Sequence, residues 1–204
     1  MIRSLALRAA LAAATLAGAA TLAHATPVVG EAAPAFTAVD SAGTSHNLSD
    51  FAGKIVVLEW TNHQCPYVRK HYDSGNMQAL QYEAGAAGVV WLSVISSAPG
   101  KQGHVSNEEA DSLTVSRDAS PAAVLIDASG DLGRLYDAKT TPHMYVIDAN
   151  GVLVYAGGID DNNSSDPATI AGATNYVRAA LADLAAGQPV AVAESEPYGC
   201  SVKY

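Results

Sequence analysis

Two runs of apolar, β-favouring residues, Ile55–Trp60 and Val89–Ile95, are almost unbroken. A strand with one wet face alternates apolar and polar residues. Runs like these belong to strands covered on both faces, as in a parallel sheet. Between them a helix is expected to open at Pro66, because proline is tolerated at the first helical position and pre-sets φ there. Asp73-Ser74-Gly75-Asn76 interrupts that helix, and the helical pattern resumes from Met77 to Ala87. A strand–helix–strand unit of this kind implies parallel strands joined by a right-handed crossover.

The remaining elements fit around that unit. Phe36–Val39 and Thr44–Leu48 flank the turn-like Ser41-Ala42-Gly43 and read as a short hairpin. Ser106 and Glu109 form a capping box that opens a short helix. Ala122–Ile126 is a brief strand and Leu132–Asp137 a helical turn or two. Met144–Ile147 and Val152–Tyr155 flank Asp148-Ala149-Asn150-Gly151, where Asn-Gly signals a hairpin. A long helix is expected from about Pro167 to Ala186, ended by Gly187. The order β, α, β, α, β, α, β-hairpin, α describes a mixed α/β sandwich, a central sheet flanked by helices in a single domain.

Composition bounds the function. Hydrophobic residues make up 49 % of the 204 and charged residues 15 %, so a packed core is expected. With 11 Lys and Arg against 20 Asp and Glu, the chain repels phosphate backbones, and nucleic acid is not an expected partner. Residues 1–25 read as a secretory signal: Arg3 and Arg8 precede the uncharged stretch Leu11–Leu22, and Ala23-His24-Ala25 offers small residues for cleavage. That stretch is shorter than the ~20 residues of a spanning helix, and no later segment is long and apolar enough to span a bilayer, so no membrane span is expected in the mature chain. The periplasm is the expected location. The domain then runs over 26–188, and 189–204 form an irregular, mobile tail.

An oxidising compartment lets the two cysteines, Cys65 and Cys200, pair. Cys65 stands between the strand ending at Trp60 and the helix opening at Pro66. Free N–H groups at a helix start carry partial positive charge, which stabilises a thiolate and lowers its pKa. Arg69-Lys70-His71 adds positive charge nearby. A buried, inert cysteine is the bland alternative. Position speaks against it, since open α/β sheets keep their sites at the carboxyl ends of strands.

Trp60-Thr61-Asn62-His63-Gln64-Cys65-Pro66-Tyr67-Val68 resembles the active-site segment of thioredoxin-like proteins. Thr140-Thr141-Pro142-His143, followed by Tyr145–Asp148 and Asn150-Gly151, resembles the cis-proline segment and hairpin of that fold. With Gly30–Phe36 and the C-terminal Gly-Cys-Ser-Val-Lys, the chain is similar to the redoxin branch, the alkyl-hydroperoxide-reductase/thiol-specific-antioxidant group and its peroxiredoxin-like proteins. The resemblance implies a thioredoxin-like fold in which Cys65 is the attacking cysteine and Pro142 the cis-proline facing it. Trp60, Asn62, Pro66, Thr141 and His143 are the residues it places around a bound substrate. Glu59, six residues before Cys65, falls where thioredoxins bury a proton-moving acid, and a solvent-facing strand-end glutamate is the equal alternative.

Departures from the family pattern are informative. Val68 stands where a thioredoxin has its second cysteine, so the Cys-x-x-Cys cycle is unavailable. Asn62 replaces the peroxide-binding Thr or Ser of peroxiredoxins, with Thr61 one place too early, and Arg69 and Arg117 are candidates for the supporting arginine. Cys200 can resolve a sulfenic acid or mixed disulfide at Cys65, or staple the tail permanently. We favour the redox pair, because a staple does not need its partner at a helix mouth. The implied partners are a peroxide or disulfide substrate and an external thiol reductant. No organic cofactor is implied, since sulfur carries the electrons and no Gly-rich phosphate loop is visible. The competing class is a binding protein on the same fold, stapled by its disulfide or carrying copper or zinc through Cys65, His63, His71 and His143. Because His63 and Cys65 straddle a bend, exposed or satisfied histidines are favoured over metal ligands.

Overall fold

The computed structural model describes residues 26–204. The expected signal segment, 1–25, lies outside the described residues.

Thr37–Val39 (β1) and Ser45–Asn47 (β2) form the expected N-terminal hairpin. Then follow Val56–Trp60 (β3), Pro66–Asp73 (α1), Asn76–Ala86 (α2), Val90–Ile95 (β4), Asn107–Ser116 (α3), Ala123–Ile126 (β5) and Asp131–Leu135 (α4). Thr140–Thr141 (β6), His143–Ile147 (β7), Leu153–Gly157 (β8), Tyr176–Ala185 (α5) and Cys200–Ser201 (β9) complete the chain. The central sheet has the order β5-β4-β3-β7-β8, with β3, β4 and β5 parallel and β7 and β8 antiparallel. This is a thioredoxin-like arrangement.

Both faces of the sheet are covered, as the unbroken apolar runs required. On one face Val56, Leu58, Trp60, Leu92, Val94, Tyr145 and Ile147 pack with Leu132 and Tyr136 from the α4 region. On the other, Val57, Trp91, Met144 and Val146 pack under Val68 of α1, Met77 and Leu80 of α2, and Val177 of α5. Helix α3 covers Ile95 and Val124 through Ala110. Its capping box is present, with the Ser106 hydroxyl accepting from the Glu109 N–H.

Two expectations change. The long helix over 167–186 is instead a 3-10 turn, Pro167–Gly172, then a break, then α5. Gly172 weakens helical continuation. The backbone N–H of Thr174 is taken by Asp161 Oδ1 at 2.9 Å, and Asn175 caps α5 by accepting from the Arg178 N–H at 2.8 Å. Nor does the tail hang free. Ser195 and Ala193 exchange backbone hydrogen bonds with Ala156, β9 pairs with β6, and the Val202 N–H donates to the Lys139 carbonyl at 3.0 Å. No helix among the described residues is long and apolar enough to cross a membrane.

Candidate redox site

Cys65 is the residue immediately before α1, with extended backbone angles and Pro66 at the first helical position. No side chain caps this helix end. Pro66 has no N–H, so the first free donors are the N–H groups of Tyr67 and Val68, which face the end where a Cys65 thiolate would accept. The side chain is fully buried and disulfide-bonded to Cys200, 135 residues on, with Cα atoms 6.0 Å apart. The Thr141–Pro142 peptide bond is cis, and the Cys65 sulfur lies 3.1 Å from the Thr141 carbonyl oxygen. Antiparallel pairing sets Thr141 opposite Cys200 and Thr140 opposite Ser201. Cys65, Cys200, Pro142 and Thr141 therefore meet at one point.

Glu59 is fully buried rather than solvent-facing. Its Oε1 accepts from the Tyr72 hydroxyl at 2.8 Å, and Oε2 accepts from Trp91 Nε1 (2.8 Å), Ser93 Oγ (3.0 Å) and Gln81 Nε2 (3.2 Å). Burial pushes its carboxyl above the usual range, and these four donors pull the other way. Tyr72, expected as an ordinary helix-face residue, is thus a buried ligand of Glu59, whereas Tyr82 is exposed.

Strand alternation sends several expected site residues elsewhere. Trp60 and His143 lie directly opposite each other in the β3–β7 register, and both belong to the face away from α1. Trp60 packs against Tyr136 and Tyr145 and donates through Nε1 to Ser96 Oγ at 3.0 Å. The His143 ring packs tilted against Tyr145, and its Nδ1 accepts from the Lys139 N–H at 3.2 Å. Burial, aided by Lys139, lowers its pKa to about 3, so the ring is neutral. His143 therefore belongs to the face away from Cys65, although the resemblance places it around a bound substrate.

Asn62 organises the loop instead of presenting its amide to a substrate. Its Oδ1 accepts from the Gln64 N–H at 2.9 Å, and its Nδ2 donates to the Gln102 carbonyl at 3.3 Å. Arg117 donates to the His63 carbonyl at 3.0 Å and lies over the Tyr72 ring. Arg69 is exposed, 3.5 Å from Asp73. The positive charge expected from Arg69-Lys70-His71 is not available to Cys65. Lys70 and His71 are buried against Asp160, and burial lowers His71 to a pKa of about 4. Among the described residues no three His, Cys, Asp or Glu side chains converge to hold a metal ion. His63, His71 and His143 are dispersed, with Nδ1 of His63 the unpartnered member.

Residues 29–156, more than half of the chain, match the model of the AhpC/TSA family. The chain belongs to the AhpC/TSA family. This family member superposes on an uncharacterized conserved protein of Geobacillus kaustophilus with a TM-score of 0.75 and 25% identity, covering 87% of this chain and 92% of that one. A hypothetical protein of Sinorhizobium meliloti 1021 gives 0.72 and 20%, covering 88% and 96%, and shows the shared fold alone. A Chlorobium tepidum protein, described as the thiol:disulfide interchange protein DsbE, gives 0.52 and 25%, covering 64% and 85%. No curated protein matches the sequence.

Sequence reasoning missed the residues that hold the AhpC/TSA chain's tail in place: Tyr198, Asp160 and Lys70. A lysine and an aspartate in otherwise apolar surroundings are a weak signal without the fold. Tyr198, two residues before Cys200, was the available pointer.

Proposed function

We propose that this chain is an exported thiol–disulfide oxidoreductase in which Cys65 attacks and Cys200 resolves. One observation carries the reading: the sulfur at the start of α1, against the cis-proline segment, is joined to a cysteine that comes from the chain terminus. In the reduced form, the Cys65 thiolate attacks a partner disulfide, and one partner sulfur leaves as a thiolate. The Cys200 thiolate then attacks the Cys65 sulfur of the mixed disulfide. The Cys65–Cys200 bond forms and the second partner sulfur leaves, so the partner gains two electrons and the chain loses two. An external dithiol resets the pair. Its thiolate reaches the half-buried Cys200 more readily than the fully buried Cys65. Cys65 then departs as a thiolate held by the helix end, and a low-pKa thiol leaves faster.

The description of the Chlorobium tepidum neighbour as a thiol:disulfide interchange protein favours disulfide over peroxide as the substrate. The commitment of the Asn62 amide to Gln64 and Gln102 points the same way, since peroxiredoxins use this position to bind peroxide.

The test is turnover of a small peptide disulfide with dithiothreitol as reductant, alongside thiol trapping in a redox buffer. A Cys65–Cys200 potential between about −120 and −270 mV, with turnover lost in Cys65→Ser, supports the cycle. A potential well below −300 mV means a permanent staple. Turnover that survives Cys65→Ser also refutes the assignment.

A further inference from the structure

Tyr67, Lys70 and His71 stand at i, i+3 and i+4 on one face of α1, the helix whose first turn presents Cys65. Tyr198 of the tail lies across all three. Its ring meets Tyr67 edge-on at 5.9 Å between centroids, Lys70 Nζ is 5.6 Å from the ring centre, and His71 Nε2 is 3.3 Å from the hydroxyl. The amide of Asn76 donates to His71 Nδ1 at 2.8 Å, so the ring proton sits on Nε2 and is donated to the Tyr198 oxygen. The Tyr198 hydroxyl in turn donates to Asp160 Oδ1. Asp160 Oδ2 is 3.5 Å from Lys70 Nζ, which also donates to the Asn162 carbonyl at 2.9 Å. Lys70, His71 and Asp160 are each at least 97 % buried, and the two opposite charges balance.

Apolar side chains of equal volume would fill this space at no cost in desolvation, so the burial of a charged pair is not explained by stability alone. What the polar network adds is register. An extended segment can slip by one residue, which would exchange Cys200 for Gly199 or Ser201. With the Tyr198 hydroxyl seated between His71 and Asp160, the second residue onward is the one that reaches Cys65. Beyond Cys200 the tail has a separate anchor. The Tyr204 hydroxyl donates to the Ala138 carbonyl at 2.7 Å, and its ring lies under Arg134, both partners outside α1.

We propose that Tyr198 is a positioning residue for Cys200: clasped by His71 and Asp160, it docks the resolving segment on the helix that carries Cys65 and so makes the disulfide harder to reduce. The proposal rests on the oxidoreductase reading above. The clasp favours the closed, oxidised arrangement over one in which the tail has released Cys65 to a partner. Removing the clasp therefore shifts the balance toward the dithiol.

Tyr198→Phe tests this, because it keeps the ring and removes the hydroxyl. In the full chain equilibrated with dithiothreitol, Tyr198→Phe is expected to lower the equilibrium constant for the disulfide by about tenfold, which for two electrons is about 30 mV less negative. Tyr204→Phe is expected to change it less than about threefold, below half that shift. In the Cys200→Ser background, where no bridge forms, Tyr198→Phe is expected to speed iodoacetamide alkylation of Cys65 by about tenfold. Should Tyr198→Phe fail to fold, Asn76→Ala takes its place. It frees the His71 tautomer without touching the tail and predicts shifts of the same sign. An unchanged equilibrium constant together with an unchanged alkylation rate overturns the proposal, as does an equal shift in Tyr204→Phe. Neither readout requires turnover, so failure of the clasp is distinct from failure of the oxidoreductase cycle.

Discussion

Gly199 lies so close against the carbonyl of Thr141 that a β-carbon on it would overlap the carbonyl oxygen and carbon. Its φ of +133° is also one that side-chain-bearing residues rarely adopt. This contact brings Cys200 beside Cys65, because Thr141 is at once the residue before Pro142, the partner of Cys200 in the β6–β9 pair and the owner of a carbonyl oxygen 3.1 Å from the Cys65 sulfur.

Gly199→Ala is therefore expected to strain the backbone by about 1–3 kcal/mol and to push β9 off β6. Disulfide formation in oxidised glutathione, followed by gel shift after alkylation, should be slow and incomplete. Gly187→Ala is the comparison, because its φ of +67° also disfavours a side chain while its added carbon meets open space, so only the clash differs. Equal disulfide yields in the two variants would contradict the steric account.

Replacing Glu59 by alanine would leave the Tyr72, Trp91 and Ser93 donors without their acceptor, Gln81 keeping the Tyr72 hydroxyl at 3.2 Å. Leaving buried donors unsatisfied in this way typically costs about 1–3 kcal/mol. Urea unfolding of Glu59→Ala should show a loss of that size. A loss under about 1 kcal/mol would mean that the site collapses or takes up solvent.

Acid should weaken the fold through its buried histidines. His71 and His143 are held neutral, with folded pKa values of about 4 and about 3 against 6.5 for the free side chain, burial being the main cause in both. Groups facing His71 are Asp160, Lys70 and Tyr198, and Lys139 faces His143. Between the unfolded and folded pKa values the unfolded chain binds the extra proton, so stability is present above pH 6.5 and falls on acidification. Each histidine contributes up to about 1.4 kcal/mol per pH unit in that window. Unfolding free energies at pH 7, 6 and 5 should fall progressively, and His71→Gln should flatten the slope. An unchanged slope in His71→Gln would refute a neutral buried ring at His71, because the raised Glu59 carboxyl acts in the opposite direction in both chains.

Much of the fold was legible because its determinants are local. The apolar runs at Ile55–Trp60 and Val89–Ile95, the Asn-Gly turn at 150–151 and the Ser106–Glu109 capping box each express a backbone preference within a few residues. The helix over 167–186 was misjudged because its interruption depends on Asp161, which captures the Thr174 N–H from another part of the chain. Periodicity cannot register such a competitor.

At the site, the position of Cys65 at a helix start and the identity of Pro142 could be read from neighbouring residues. Which face His143 and Trp60 occupy could not, because alternation assigns faces only once the register of β3 on β7 is set. In the sequence Lys70 and His71 are simply positive charge near Cys65, and it takes the folded chain to bury them against Asp160.

The sequence by itself determined the alternating β/α framework and the place of Cys65 at the start of a helix, since both follow from propensities over short stretches. Only the tertiary structure decided that Glu59 is a buried acceptor, that His143 turns away, and that the tail is clasped through Tyr198 with Cys200 against Cys65. Those outcomes depend on desolvation and on partners up to 135 residues apart, energies that exist only after the chain has closed.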